Sequence, residues 1–125
     1  MHFLLLVGIG GFIGAILRYA VSGLIQGGEA AFPFGTLGVN VIGSFVLGFV
    51  MYSAEYGGFF PDEARAFLTV GMLGAFTTMS TFGYESFKLL ENDEFALLGI
   101  NIAGTVLLAL CAVYLGKVVA LNLWR

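Results

Sequence analysis

Four long apolar stretches run along the chain, at about 3–25, 34–54, 64–90 and 95–121. About 20 apolar residues carry an α-helix across the hydrocarbon of a bilayer, so each stretch predicts a membrane-spanning helix. The connections cover only 26–33, 55–63 and 91–94, which leaves no room for an extramembrane domain. An even number of spans puts both termini on one side of the membrane. Pro33 suits the start of the second helix, and Pro61-Asp62-Glu63 places acids where the dipole of the third favours them. Asn92 or Asp93 can cap the fourth. The pattern predicts an all-α membrane protein with one domain over residues 1–125.

Polar positions interrupt these stretches at particular places. The third carries Gly71 and Gly74, then Thr77, Thr78, Ser80 and Thr81, punctuated by Met79 and Phe82. Its middle falls at Thr77, close to the bilayer midplane. An opened helical hydrogen bond at that depth costs several kcal/mol unless protein or water replaces it. The stretch therefore reads as a helix interrupted at the midplane, with the rest of the chain as its frame. In the second stretch Thr36, Asn40 and Ser44 recur at i, i+4 and i+8 and form one polar stripe. Such a stripe is either interhelical glue, worth about 0.6 kcal/mol per bond, or the lining of a pore; the stripe alone leaves both open. The fourth stretch repeats the arrangement with Asn101 and Thr105, but its next turn is the apolar Ala109. In the first, Gly10 and Gly14 form a GxxxG pair that allows close helix packing. The surrounding glycines do not make a dinucleotide fingerprint, because the third comes one residue late and no strand precedes them. Arg18 lies inside the first stretch. A charge there faces a water-filled vestibule or snorkels to the interface. Glu85 and Lys88, near the end of the third stretch, are spaced to pair along one helix face.

Composition agrees with the pattern. The chain is 59% hydrophobic and 10% charged, with mean hydropathy +0.99, whereas a soluble domain carries about 25% charged residues. The net charge of −3 sits mostly in the short loops, and the absence of a basic patch argues against nucleic acid as a partner. Cys111 is the single cysteine, so the sequence offers neither an intrachain disulfide nor a cysteine metal cluster. The first stretch is too long for a signal-peptide core and lacks a basic leader, so it reads as a retained span. Arg65, Lys117 and Arg125 lie on the side of the termini, against Lys88 on the other. A bias that small gives a weak orienting instruction and permits insertion both ways up.

The intramembrane polar groups are neutral, and most can donate a hydrogen bond. No Asp or Glu lies near a midplane, which argues against a proton-coupled antiporter and against a cation path built on acidic rings. The only histidine is His2, so no nucleophile–base pair exists, and an enzyme is not expected. Neutral donors suit a small, strongly hydrated anion, because they replace its water without holding it too tightly to leave. The edge of Phe82 adds a weakly positive rim, and Arg18 at an entrance raises the local anion concentration. These residues point to a small-anion conduit.

Three motifs in register then resemble the Fluc/CrcB fluoride channels: Gly14-Ala15-x-x-Arg18-Tyr19; Gly35-Thr36-Leu37-x-Val39-Asn40-x-x-Gly43; and Gly71-x-x-Gly74-x-x-Thr77-Thr78-x-Ser80-Thr81-Phe82 with Glu85. The resemblance implies an antiparallel, dual-topology homodimer with two fluoride pores in a bacterial or archaeal cell (inner) membrane, exporting cytoplasmic fluoride. It implies a structural sodium ion on the dimer axis, held by the backbone carbonyls of Gly74 and Thr77 from both subunits. It implies a fluoride path along Thr36, Asn40, Met79, Ser80, Thr81, Phe82, Asn101 and Thr105, with Arg18 and Glu85 in the vestibule. Met79 departs from the pattern, since the family has a phenylalanine there. The competing readings are a small dual-topology multidrug-type antiporter, disfavoured by Arg18 where a carboxylate is needed, and a noncatalytic packing subunit, which leaves the midplane hydroxyls unexplained.

Overall fold

The structure, a computed structural model, describes residues 2–124. The chain is all-helical among these residues, and 4 helices are long and apolar enough to cross a membrane: His2–Gln26, Phe34–Gly57, Asp62–Glu91 and Phe95–Trp124. Helix α1 is His2–Gln26 and α2 is Phe34–Gly57. The third span is composite. A short α3 (Asp62–Arg65) leads into a π-helical run (Ala66–Leu73) and then α4 (Gly74–Phe76); α5 (Met79–Glu91) resumes after Thr77 and Thr78. Helix α6 is Phe95–Trp124. The ends lie up to a turn beyond the apolar stretches, as expected for helices that continue into the headgroup region.

Glycines set which helices touch. Helix α2 packs chiefly on α6, and α1 on the π-helical run. A Cβ at Gly48 would stand 2.6 Å from the Val113 carbonyl oxygen, and one at Gly71 would stand 2.7 Å from that of Val7. A Cβ at Gly14 would collide with the Met72 carbonyl. The Gly10/Gly14 pair is therefore a packing surface for the third span, where small residues let main chains approach closely. The π-helical run sits on that contact. Within it the Thr69 hydroxyl donates to the Arg65 carbonyl at 2.7 Å, an i−4 bond that competes with the main-chain ladder.

The ends are held by side chains. Pro33 stands at the N-cap of α2 without a side-chain cap. Gln26 supplies what is missing: its Oε1 accepts the Gly35 N–H at 2.9 Å while its Nε2 donates to the Phe32 carbonyl at 3.0 Å. At the opposite side of the bundle Trp124 Nε1 donates to the buried Ser53 hydroxyl at 2.7 Å, closing α6 onto α2. The expected cap on the fourth span is not used. Asn92 ends α5, Asp93 takes a left-handed turn (φ 57°), and neither side chain bonds to the start of α6. The expected Glu85–Lys88 pair is absent too. Lys88 pairs with Glu91 at 3.5 Å, at the usual i,i+3 spacing, and one carboxylate oxygen of Glu85 is buried without a partner.

Candidate functional site

The site is built around an extended pair in the third span. Thr77 has φ −88° and ψ 160°, and Thr78 has φ −150° and ψ 123°. Both leave the helical basin, so the amides and carbonyls around them need other partners. Two side chains from other helices provide them. The Asn40 amide on α2 faces the Thr78 peptide: Oδ1 accepts the Thr78 N–H at 2.8 Å and Nδ2 donates to the Thr78 carbonyl at 3.1 Å. From α1, Arg18 Nε donates to the Ala75 carbonyl at 2.9 Å. Ala75 lies in the last turn before the extended pair, where unsatisfied carbonyls carry the negative end of a helix.

Beyond the pair, α5 begins with Thr78 as N-cap, its hydroxyl accepting the Thr81 N–H at 3.2 Å. This residue type at this position is what a helix start demands. The diverted amides have a consequence for Gly74 and Thr77. In a continuous α-helix the N–H groups of Thr78 and Thr81 would meet the carbonyls of Gly74 and Thr77. Here they go to Asn40 Oδ1 and Thr78 Oγ1. The two carbonyls that the family resemblance implied are those whose helical donors are diverted. Gly74 is also exposed on the surface of the chain.

Cavities lie on both sides of the extended pair, and Thr78 lines two of them. One of 680 Å³ holds Arg18, Thr36 and Thr81. One of 480 Å³ holds Asn40, Met79, Phe82 and Thr105 together with Gly74 and Thr77. A third, of 330 Å³, holds Glu85 and Lys88 and shares Ser22, Gly23 and Thr36 with the first. The vestibule candidates Arg18 and Glu85 thus line neighbouring cavities that share Ser22, Gly23 and Thr36. Two candidate path residues lie outside all three. Ser80 is exposed, its hydroxyl 3.5 Å from that of Thr78. Asn101 is buried between α5 and α6, where Nδ2 donates to the Ser86 hydroxyl at 3.0 Å. Thr105 donates to Asn101 Oδ1 at 3.4 Å. Within the single chain Asn101 is thus engaged in packing, and Thr105 is the polar residue of α6 that lines a cavity, beside the apolar Val106, Ala109 and Leu110.

Sequence reasoning missed Ser86, Ser53 and Gln26. A lone hydroxyl at the buried i position of a helix gives no signal until its partner is placed. It counted Thr78 among the midplane hydroxyls but not among the candidate site residues, although its peptide and hydroxyl organise the extended pair; its N-cap spacing to Thr81 was the available sign.

Fold and site together define a multi-pass, all-α membrane protein whose polar chemistry is gathered around an extended pair in its third span. Residues 5–117 match the family model described as CrcB-like protein, Camphor Resistance (CrcB), and the chain belongs to that family. It is 59% identical over 123 residues to "Fluoride-specific ion channel FluC 1" of Methanosarcina acetivorans, covering 98% of this chain and 94% of the relative. It is 60% identical over 122 residues to "Fluoride-specific ion channel FluC 3" of Methanosarcina barkeri, covering 98% and 92%. A bacterial relative, "Fluoride-specific ion channel FluC" of Geobacter sulfurreducens, is 41% identical over 124 residues, covering 98% and 100%.

Proposed function

We propose that this protein is a fluoride-selective channel through which cytoplasmic fluoride leaves down its gradient. The observation that carries the reading is the start of α5. A helix of 13 residues opens at the extended pair, and its N-terminus presents amides and the equivalent of about half a positive charge. Ser80 and Thr81 stand in its first turn, and Asn40 retains a second N–H beside the same peptide. Neutral donors and a partial charge suit an anion that must bind and leave. The fluoride channels among its relatives supply the choice of anion.

The working unit in this reading is an antiparallel, dual-topology homodimer, with the third span broken at the bilayer midplane. Opened backbone at membrane depth is tolerated only where protein or a cavity covers it. Gly74 is exposed in the single chain, so a second copy laid across it satisfies that demand. A sodium ion at the twofold axis, bound by the Gly74 and Thr77 carbonyls of both copies, fits the donor set: neutral oxygens deprived of amide partners suit a hard cation. The ion would neutralise carbonyl dipoles that otherwise face one another. No step of fluoride movement is assigned to it.

Purified protein in liposomes should release fluoride, read with a fluoride electrode, and not chloride or a cationic dye. Dye exchange driven by a proton gradient would favour the antiporter, and absence of all three fluxes the packing subunit.

Met79 tests the path. Its side chain is exposed and lines the 480 Å³ cavity beside Phe82. A thioether offers polarisable bulk but no positive edge, whereas a phenyl edge does. Met79→Phe should therefore raise fluoride occupancy beside position 79 without altering assembly, measured as tighter half-saturation of flux. Abolished flux in a well-folded dimer would remove the edge contact from the account.

A further inference from the structure

We infer that Asn40 is the residue that creates the cation site, in addition to facing the anion path. The inference rests on the sodium reading above and names what makes the carbonyls available. The Gly74 carbonyl has one natural partner, the Thr78 N–H four residues on. That N–H is captured by Asn40 Oδ1 at 2.8 Å. The opposite edge of the same amide donates to the Thr78 carbonyl at 3.1 Å, which fixes the peptide in its extended orientation. One side chain thereby takes the N–H that a helix would give to Gly74 and adds a second donor to the Thr78 carbonyl, which as N-cap already serves α5. It does so from 38 positions away in sequence. The geometry also fixes the orientation of the Asn40 amide, because the edge facing an N–H must be the oxygen. Without the Oδ1 acceptor, the Thr78 N–H has two choices in a dry environment. It remains unsatisfied, or it turns back to Gly74 and occupies the oxygen a cation needs. The first destabilises the open form, and the second closes the helix and removes one carbonyl per subunit from the site. Cation binding and the Asn40 clamp are coupled in this way, and a ligand that binds only the open form stabilises that form by mass action.

Loss of fluoride flux in an Asn40 variant follows from either role, so flux alone does not separate them. The discriminating measurement is the thermal stability of the purified dimer, titrated with sodium chloride against N-methylglucamine chloride at constant ionic strength. The unsubstituted protein should gain stability with sodium. Asn40→Ala should lose that gain, or need at least tenfold more sodium to reach half of it. Asn40→Asp keeps an oxygen for the Thr78 N–H but loses the donor edge. It should keep a sodium response while losing fluoride flux. If Asn40→Ala keeps the full sodium response, Asn40 acts on the anion alone and the inference falls, with the sodium reading intact. If the unsubstituted protein shows no sodium response, the sodium reading itself falls, and the inference with it. Should Asn40→Ala fail to fold, Asn40→Asp decides: a lost sodium response in a folded dimer overturns the acceptor argument, and a retained one supports it.

Discussion

A version of this chain carrying several added lysines after its C-terminus should be inactive when expressed alone. The expectation follows from the charge count and the proposed antiparallel assembly over the exposed Gly74 together. Arg65, Lys117 and Arg125 against Lys88 is a difference of only two basic residues between the faces, and Arg65 is already partnered with Asp62 in the described structure. Orientation is set by such an excess in short loops. A bias this small lets the chain insert both ways up, and a few lysines override it. If two antiparallel copies must meet to cover the opened backbone at Gly74 and Thr77, a population held in one orientation has no partner of the right sense. Fluoride efflux from cells or liposomes should then fall to background. Coexpression with a copy biased the opposite way, by lysines in the 26–33 or 91–94 connection, should restore it. Full activity of one biased form alone would show that the antiparallel assembly is wrong, and would leave the question of what covers Gly74 to a parallel arrangement or to lipid.

The spans were legible from the sequence because their signal is long and local. Runs of more than 20 apolar residues survive any uncertainty about individual positions, and the connections are too short to hide another element. The GxxxG pair was legible for the same reason: Gly10 and Gly14 specify a close approach before the partner is known. Several of the polar residues around the extended pair were legible as polar positions, but their bonds were not, and Ser80 and Asn101 lie outside the cavities. Asn40 was readable as a polar residue in a stripe, yet its partner is a peptide group, and every residue offers one of those. Nothing in the letters at 40 or 78 marks that pairing. The same holds for Arg18 and the Ala75 carbonyl. Asn101 and Thr105 share a helical face, so spacing alone assigned them one role. Packing of α5 against α6 divides them, because the Ser86 hydroxyl takes the Asn101 amide first. The Glu85–Lys88 expectation failed on a choice between two legal spacings: Lys88 has Glu91 available on the solvent side, and Glu85 turns inward.

Replacing Arg18 should have a large effect even when the charge is kept. A guanidinium inside a span costs about 2.5–3.5 kcal/mol by membrane-insertion scales, and something must offset that cost. Here two things do. Arg18 Nε donates to the Ala75 carbonyl at 2.9 Å, at the negative end of a helix, a charge-assisted bond worth about 1.5–3 kcal/mol. Its side chain also lines the 680 Å³ cavity with Thr36, Thr78 and Thr81. One planar group thus holds the main chain before the extended pair and, in the channel reading proposed above, presents positive charge to an entering anion. Lysine cannot divide itself in this way, since its donors sit on a single terminal nitrogen. Arg18→Lys should keep the attraction but release Ala75, or hold Ala75 and withdraw its charge from the cavity. Fluoride flux should fall at least about tenfold, the equivalent of about 1.4 kcal/mol. Arg18→Ala loses both functions and should fall about a hundredfold or more. Ionic strength separates the two contributions, because steering by an exposed charge weakens as the Debye length shrinks from about 30 Å at 0.01 M to about 8 Å at 0.15 M. Flux through the unsubstituted protein at fixed fluoride should therefore decline with added inert salt, and the residual flux of Arg18→Ala should not. Arg18→Lys with undiminished flux in an intact dimer would show that the bond to Ala75 is dispensable, and an unchanged salt dependence in Arg18→Ala would place the steering charge elsewhere.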